Sequence, residues 1–330
     1  MEYQAADSRY ASMEYRRCGQ SGLLLPAISI GLWHNFGKAA DFGHCQHLVQ
    51  GCFDRGITHF DLANNYGPPP GSAEEVFGSI LRNSLGRYRD ELVISTKAGY
   101  FMWEGPYGEW GSRKHLIASA DQSLKRMGLE YVDIFYHHRS DPSTPLEETA
   151  QALTSIVRAG KALYVGISNY GMEETLSMLA FLQAEKVPCL VHQMRFSLLA
   201  TEQAALLDVL SQQGVGAIAY SPLAQGLLTG KYLHGIPEGS RAAGGSVFLT
   251  PVSVTEQVNK RVARLAEIAQ ARGQSLTHMA LAWVLSRKGM SSVIVGASNL
   301  SQIDDNLMAL QNLVFSDQEE AEILQAISDF

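Results

Sequence analysis

Short apolar runs of strand length alternate with amphipathic stretches of helix length along most of this 330-residue chain. That alternation predicts repeated strand–helix units and a parallel sheet. Eight runs read as strands: Ile28–Gly31, Thr58–Asp61, Leu92–Lys97, Val132–His137, Ala162–Ser168, Leu190–Gln193, Gly216–Tyr220 and Ser292–Val295. Between them, His44–Arg55, Ala73–Ser84, Arg113–Met127, Leu146–Ala159, Glu173–Glu185 and Glu202–Gln213 read as helices. Gly56, Gly128, Gly160 and Gly214 each follow a helical pattern, where a left-handed residue ends the last turn. Eight such units close a barrel, so the expected fold is α/β, a (β/α)8 TIM barrel.

Two stretches break the repeat. Met13–Pro26 reads as a β-hairpin with its turn near Gly19-Gln20-Ser21-Gly22, placed to cap the bottom of the barrel. Between Tyr220 and Ser292 lie a Gly- and Pro-containing loop, Gly235–Pro251, and two extra helices, Thr255–Arg272 and Ser275–Arg287. A last helix, Ser316–Ile327, follows the final unit. No linker-like composition divides residues 1–330, which read as one domain. The loop at 235–251 is long for a compact domain and predicts a lid, a binding loop or a disordered segment.

Composition narrows the function classes. Hydrophobic residues make up 46%, enough for a sizeable core. A formal net charge of -7 disfavours nucleic acid or an anionic membrane as partner, while leaving room for a local basic pocket. No apolar run approaches the ~20 residues of a membrane helix, and Met1–Asp7 lacks the layout of a signal peptide. Cys18, Cys45, Cys52 and Cys189 form no C-x-x-C pair. They read as reduced apolar fillers in a cytoplasmic protein. His137 and His138 point to opposite faces of one strand and would not share an ion, so no metal site is expected.

Four residues fall where one reductive site would need them. Asp61 and Lys97 end their strands, His138 follows directly after its own, and Tyr66 lies in the loop after Asp61. Neighbouring parallel strands would bring them to the C-terminal rim, where barrel enzymes keep their chemistry. An acid, a cation beside it, an imidazole and a buried carboxylate can protonate a carbonyl while a hydride attacks its carbon. Tyrosine titrates near pH ~10, and an ammonium at Lys97 is expected to lower that value. Asp61 would supply the anion a buried Lys97 needs. Read alone, Asp61 is a capping aspartate and Tyr66 a loop tyrosine; their coincidence with Lys97 and His138 at successive strand ends favours a site.

Further candidates follow the later strands. Ser168 and Asn169 could bond a planar amide, Gln193 offers a donor and an acceptor, and Tyr220 offers a ring to stack on a heterocycle. No G-x-G-x-x-G follows a strand, so a Rossmann site is not expected. Gly226–Lys231 lacks P-loop spacing, and Tyr232 stands where Ser or Thr is required. The small-residue loop and helix N-terminus across Val295–Asn306 suit a phosphate group.

Gly31-Leu32-Trp33, Phe60-Asp61 with Asn65-Tyr66-Gly67, Ser95-Thr96-Lys97, Asp133 to His138, Gly166-Ile167-Ser168-Asn169 and Val295-Gly296-Ala297-Ser298 occur in one order. Together they resemble the aldo-keto reductase superfamily over nearly the whole chain. The resemblance implies a barrel holding NADP(H) across its C-terminal rim. It implies reduction of a small aldehyde, such as L-glyceraldehyde 3-phosphate or methylglyoxal. By position it makes Tyr66 the general acid, Lys97 and Asp61 its tuning pair, and His138 the group that orients the carbonyl. His138 is preferred to His137 because it lies five residues after Asp133, the family's spacing. Trp33, Tyr66 and His138 would wall the substrate pocket, and Trp33, Asp61 and Tyr66 would border the cofactor. Ser168, Asn169 and Gln193 match the groups that hold the nicotinamide carboxamide, with Tyr220 stacked beneath. Ser221, Leu223, Gln225 and Lys231 match pyrophosphate-side contacts. Gly296, Ser298, Gln302, Asp305 and Asn306 match the adenosine end.

Many members carry Arg where this chain has Gln302, which removes a charge that could meet the 2′-phosphate; Lys231 and Arg241 are candidates to offset it. NADPH is still expected over NADH. Voltage-gated potassium channel β subunits are related but carry Asn at the His138 position, so the histidine points to an enzyme. Relatives that form tetramers or larger rings imply a homo-oligomer. Two rivals follow: an NADP-binding accessory subunit with little turnover, and a lyase working through a Lys97 Schiff base.

Overall fold

The computed structural model describes residues 2–33, 36–238, 240, 242–244 and 249–328. Two short strands, β1 (Tyr15–Arg17) and β2 (Leu24–Pro26), pair antiparallel. Eight more follow: β3 (Ile28–Gly31), β4 (His59–Asp61), β5 (Val93–Ala98), β6 (Val132–His137), β7 (Ala162–Ser168), β8 (Cys189–Arg195), β9 (Gly216–Tyr220) and β10 (Met290–Val295). These run parallel and close on themselves, β10 pairing with both β3 and β9. The helices are α1 (Phe42–Phe53), α2 (Ser72–Ile80), α3 (Arg113–Met127), α4 (Leu146–Arg158), α5 (Met172–Ala184), α6 (Ala204–Gln212), α7 (Glu256–Ala271), α8 (Leu276–Leu285), α9 (Leu300–Leu307) and α10 (Asp317–Ser328). The fold is the expected (β/α)8 barrel with an antiparallel hairpin before it.

Local chemistry sets the helix ends. Asp41, Ser112, Thr255, Ser275 and Asn299 each accept a backbone N–H from the first turn they precede. Gly128 closes α3 at φ 69°. The stretch read as one helix over Ala73–Ser84 differs from that reading. Its α-helix stops at Ile80, and a π-wound turn, Leu81–Leu85, takes over. There the Ser84 hydroxyl donates to the Ile80 carbonyl at 2.9 Å, a side chain competing with the backbone ladder.

Alternation along the strands divides the barrel interior lengthwise. Ile134, Tyr136, Val191, Ile218 and Ile294 form an apolar half. Ser292, Ser29, His59, Ser95, Asp61 and Lys97, on β10, β3, β4 and β5, form a hydrogen-bonded polar half. The hairpin seals the floor, since Cys18 and Leu25 are fully buried against the apolar half. Gly216 is needed for that approach: a Cβ there would lie 2.5 Å from the Cys18 Sγ. All four cysteines are free and buried. Burial pushes the thiols of Cys18, Cys52 and Cys189 up to about 12.

The expected loop at 235–251 is described only in part. Ala242 and Leu249 are buried, and the Ala242 N–H donates to the hydroxyl of buried Tyr232 at 3.4 Å. Residues 239, 241 and 245–248 lie outside the described residues, and with them the expected contact of Arg241. No described helix is long and apolar enough to cross a membrane.

Candidate active site

Lys97, near the end of β5, places its ammonium 2.5 Å from Asp61 Oδ2 and 2.7 Å from the Leu62 carbonyl. Its third donor direction meets the Tyr66 hydroxyl at 3.4 Å. Three protons face three acceptors, so the ammonium is fully used. Lys97 and Asp61 are both buried, whereas Tyr66 is only partly covered. Around Asp61, the Ser95 hydroxyl donates to Oδ1 at 2.7 Å and the Gln193 amide donates to the same oxygen at 3.0 Å.

Aromatic groups frame the Tyr66 ring. Trp33 stacks at 5.6 Å between centroids, and His138 meets it edge-on at 5.9 Å. The backbone N–H of His138 continues the ladder of β6 to Ala98 O at 2.8 Å. His138 therefore continues the inward register of Ile134 and Tyr136. His137 points outward, where its Nδ1 lies 2.5 Å from the Tyr170 hydroxyl. His138 rather than His137 thus faces the Tyr66 ring. Among the described residues, the buried His138 Nδ1 has no hydrogen-bond partner.

One electrostatic expectation is overturned. Tyr66 is not made more acidic; burial, then the Asp61 charge, then Tyr220 and Tyr100, hold its phenol well above its ordinary value. Loss of solvation leads, and each charge that acts on the ring adds to it. Burial pulls Lys97 below its ordinary value, opposed by Asp61 and by Glu74. Burial, with the charge of Lys97 next, holds His138 well below its ordinary value, so its ring is neutral.

The candidates for a cofactor fall into three groups. Ser168 pairs across the sheet with Gln193. Next to it Asn169, at φ 57°, donates to His138 O at 3.0 Å and accepts from the Tyr220 hydroxyl at 2.7 Å. A second group follows β9. The Gln225 amide donates to the Ser221 hydroxyl at 2.9 Å, Leu223 leads into a 3-10 turn, and Lys231 lies 4.9 Å from the Tyr232 ring. The third group surrounds the start of α9. Gln302 accepts from the Ser298 N–H at 2.9 Å and from its hydroxyl at 3.2 Å, Asp305 meets His278 at 2.9 Å, Asn306 is buried, and Gly296 borders open space.

Sequence reading missed several neighbours. His59 and Ser95 sit two residues before Asp61 and Lys97, so period-two alternation could have found them. Behind Lys97, buried Glu74 accepts from Thr96 at 2.5 Å and from Arg126 at 2.6 Å. Tyr100 packs edge-on against His138 at 4.6 Å. Arg139 lies 4.2 Å from that ring and 3.7 Å from the ring of Trp110, and it pairs with Glu109. No sequence signal joins Trp110 to Arg139, because the loop that brings them together has no fixed period.

The pattern of the Aldo/keto reductase family matches residues 27–328. An Escherichia coli O157:H7 protein named L-glyceraldehyde 3-phosphate reductase is 57% identical over 100% of this chain and 96% of its own length. Its counterpart in Escherichia coli strain K12 is 56% identical with the same coverage. An Arabidopsis thaliana protein named a probable voltage-gated potassium channel subunit beta is 37% identical over 90% of this chain and 91% of its own. With the family matching nearly the whole barrel and reductases this similar along the full length, the chain belongs to the aldo/keto reductase family and is an oxidoreductase.

Proposed function

We propose that this protein reduces small aldehydes with NADPH, with phosphorylated three-carbon aldehydes such as L-glyceraldehyde 3-phosphate ahead of methylglyoxal. The observation that carries the reading is the Tyr66 hydroxyl, 3.4 Å from a lysine that is itself 2.5 Å from a buried aspartate. Residues 1–330 serve as one domain in this reading.

The backbone supports a bound dinucleotide. Six described non-glycine residues have positive φ, and four of them, Asn169, Ser221, Ala224 and Gln225, lie in the loops after β7 and β9. Strain of this kind persists where a site needs it. Gly296 leaves space beside the start of α9, where N–H groups suit a phosphate. Ser168, Asn169, Gln193 and Tyr220 would hold the nicotinamide end, and Ser221, Leu223, Gln225 and Lys231 the pyrophosphate. Gly296, Ser298, Gln302, Asp305 and Asn306 would hold the adenosine end. When bound, the reduced nicotinamide supplies the hydride.

The residues do the rest. Tyr66 keeps its proton at neutral pH and delivers it to the carbonyl oxygen as negative charge develops there. Lys97 stabilises the phenolate left behind, and Asp61 holds Lys97 in place. Neutral His138 donates an N–H to the same oxygen and fixes the carbonyl's angle. Trp33 walls off water. Arg139, over the rings of Tyr100 and Trp110 and paired with Glu109, is the cation this reading assigns to an anionic group on the substrate, in exchange for the Glu109 contact. A Schiff-base lyase is disfavoured, since Lys97 already donates in three directions.

The free cysteines fit a reducing compartment, and a cytoplasmic homo-oligomer completes the proposal. The test is oxidation of NADPH and NADH against L-glyceraldehyde 3-phosphate, glyceraldehyde and methylglyoxal. Tight NADPH binding with negligible turnover of all three would instead place the protein with the accessory subunits.

A further inference from the structure

A continuous hydrogen-bond chain runs inside the barrel from its floor to the site. The Ser292 hydroxyl lies 2.7 Å from the Pro26 carbonyl and 2.6 Å from the Ser29 hydroxyl. Ser29 lies 2.9 Å from His59 Nδ1, His59 Nε2 lies 3.0 Å from the Ser95 hydroxyl, and Ser95 lies 2.7 Å from Asp61 Oδ1. All of these side chains are buried.

Proton counting fixes the direction of the last three links. An ionised carboxylate only accepts. Ser95 therefore spends its one proton on Asp61. Its oxygen must then accept from His59, which puts the imidazole proton on Nε2. Nδ1 is left as an acceptor for the Ser29 hydroxyl. Burial, with Lys97 adding to it against the pull of Asp61, holds the imidazole at about 4, so the ring is neutral; four protons then serve four links, which sends the Ser292 proton to the Ser29 hydroxyl rather than to the Pro26 carbonyl beside it.

Packing alone does not account for these groups. Barrel interiors are dominated by bulky branched side chains, and the opposite half of this one follows that rule. Four polar side chains in a dry core would be costly unless fully bonded. Here they are bonded in one line, and the line ends on the carboxylate beside the catalytic lysine. The geometry points to His59 as a positioning residue: by donating its Nε2–H to the Ser95 oxygen it holds that hydroxyl in place and aimed at Asp61 Oδ1, and so tunes how much of the Asp61 charge acts on Lys97 and Tyr66.

Other charged and titratable groups share this environment. Tyr66 feels Asp61, Tyr220 and Tyr100, while Lys97 feels Asp61 and Glu74. Tyr136 feels Asp61, Cys18 and Cys189 from the apolar half, and His138 feels Lys97, His137 and Arg139. None of these touches Asp61 Oδ1. Only Ser95 and the Gln193 amide do so among the described side-chain contacts.

The consequence has a sign. Without the Ser95 proton, more negative charge stays on Asp61 and faces Tyr66. The phenol then becomes a weaker acid. The kinetic arm of the test rests on the reductase reading above. Ser95→Ala and His59→Leu should each lower kcat by about 10-fold, the weight of one charge-assisted hydrogen bond. Each should move the basic limb of the kcat–pH profile to higher pH, with NADPH affinity within about 2-fold of wild type on that same scale. Combining them should cost little more than either alone, because both cut one line. His59→Gln keeps a donor at the Nε2 position and should recover most of the loss.

Two results would overturn the inference. One is a folded Ser95→Ala enzyme whose basic limb coincides with wild type, whatever its kcat. The other comes from isotope-edited NMR of the His59 ring, assigned with His59→Gln: a ring protonated on Nδ1, or charged at neutral pH. The NMR arm stands without turnover, so failure of the reductase reading and failure of this inference are distinguishable. Ser95→Ala removes a single oxygen and keeps the kinetic arm usable if His59→Leu does not fold.

Discussion

The Lys97 ammonium and the Asp61 carboxylate meet at 2.5 Å with both side chains buried. A pair in that position is costly to break, because the partner left behind is an uncompensated charge out of water. Lys97→Met should lower stability by about 3–5 kcal/mol and abolish most turnover. Adding Asp61→Asn should restore much of the stability and none of the activity. Denaturant midpoints and initial rates on the same preparations check both statements. A stable, active Lys97→Met enzyme would remove the lysine from the mechanism.

Tyr66→Phe keeps the ring that stacks on Trp33 and deletes the hydroxyl facing Lys97. Turnover should fall by about 10²–10⁴-fold, the usual weight of a general acid. Cofactor affinity, measured by fluorescence titration, should hold. Near-normal turnover would move the acid elsewhere.

Arg139 carries the substrate prediction. Arg139→Gln should raise KM for L-glyceraldehyde 3-phosphate by about 10–100-fold, the weight of one charge-assisted contact. KM for methylglyoxal, which has no anionic group, should change little. Parallel rises for both substrates would show that Arg139 shapes the pocket without reading charge.

NADPH should bind more tightly than NADH, and Gln302→Arg should widen the margin at low salt. The native Gln302 is already tied to Ser298, so its amide braces the turn before α9. The substitution therefore exchanges a brace for a charge. Cofactor titrations with wild type and variant, with thermal midpoints alongside, separate the two effects. Equal NADH and NADPH affinities, unmoved by the variant, would place the adenosine end away from α9.

Stability should fall on acidification below neutrality. Burial holds His59 and His192 at about 4 and His137 at about 3, against 6.5 for a free imidazole. Below 6.5 the unfolded chain binds protons that the folded chain refuses, so folding loses free energy as pH falls. The loss begins near 6.5 and runs down to about 3–4. Urea midpoints between neutral and acidic pH measure it. A flat profile would mean that these rings take up protons inside the fold.

Much of this architecture is legible in the sequence, because strand–helix alternation and strand-end chemistry are local signals. Asp61, Tyr66, Lys97 and His138 could be named from their positions after apolar runs. The acidity of Tyr66 could not, since it depends on burial and on the charge of Asp61 that the folded barrel brings to the ring. The π turn at Leu81–Leu85, where the Ser84 hydroxyl bonds the Ile80 carbonyl, leaves no mark on the apolar periodicity that defines a helix in the sequence. Arg139 escaped because its setting comes from Tyr100 and Trp110, on a loop without periodicity. Gln193 showed its polar character in the sequence, but its bond to Asp61 needs the closed barrel.

That closure has a consequence for biosynthesis. The strand that completes the cylinder, β10, is also the one that contributes Ser292, and it docks on β3 from the opposite end of the polypeptide. While Met290 is still inside the ribosomal tunnel, the emerging segment already carries Asp61, Tyr66, Lys97 and His138. It still lacks β10, the strand that joins β9 to β3. The closed cylinder therefore arrives late, when the two distant edges zip together, and a stalled or shortened translation product would carry all four side chains without the closure that buries Lys97.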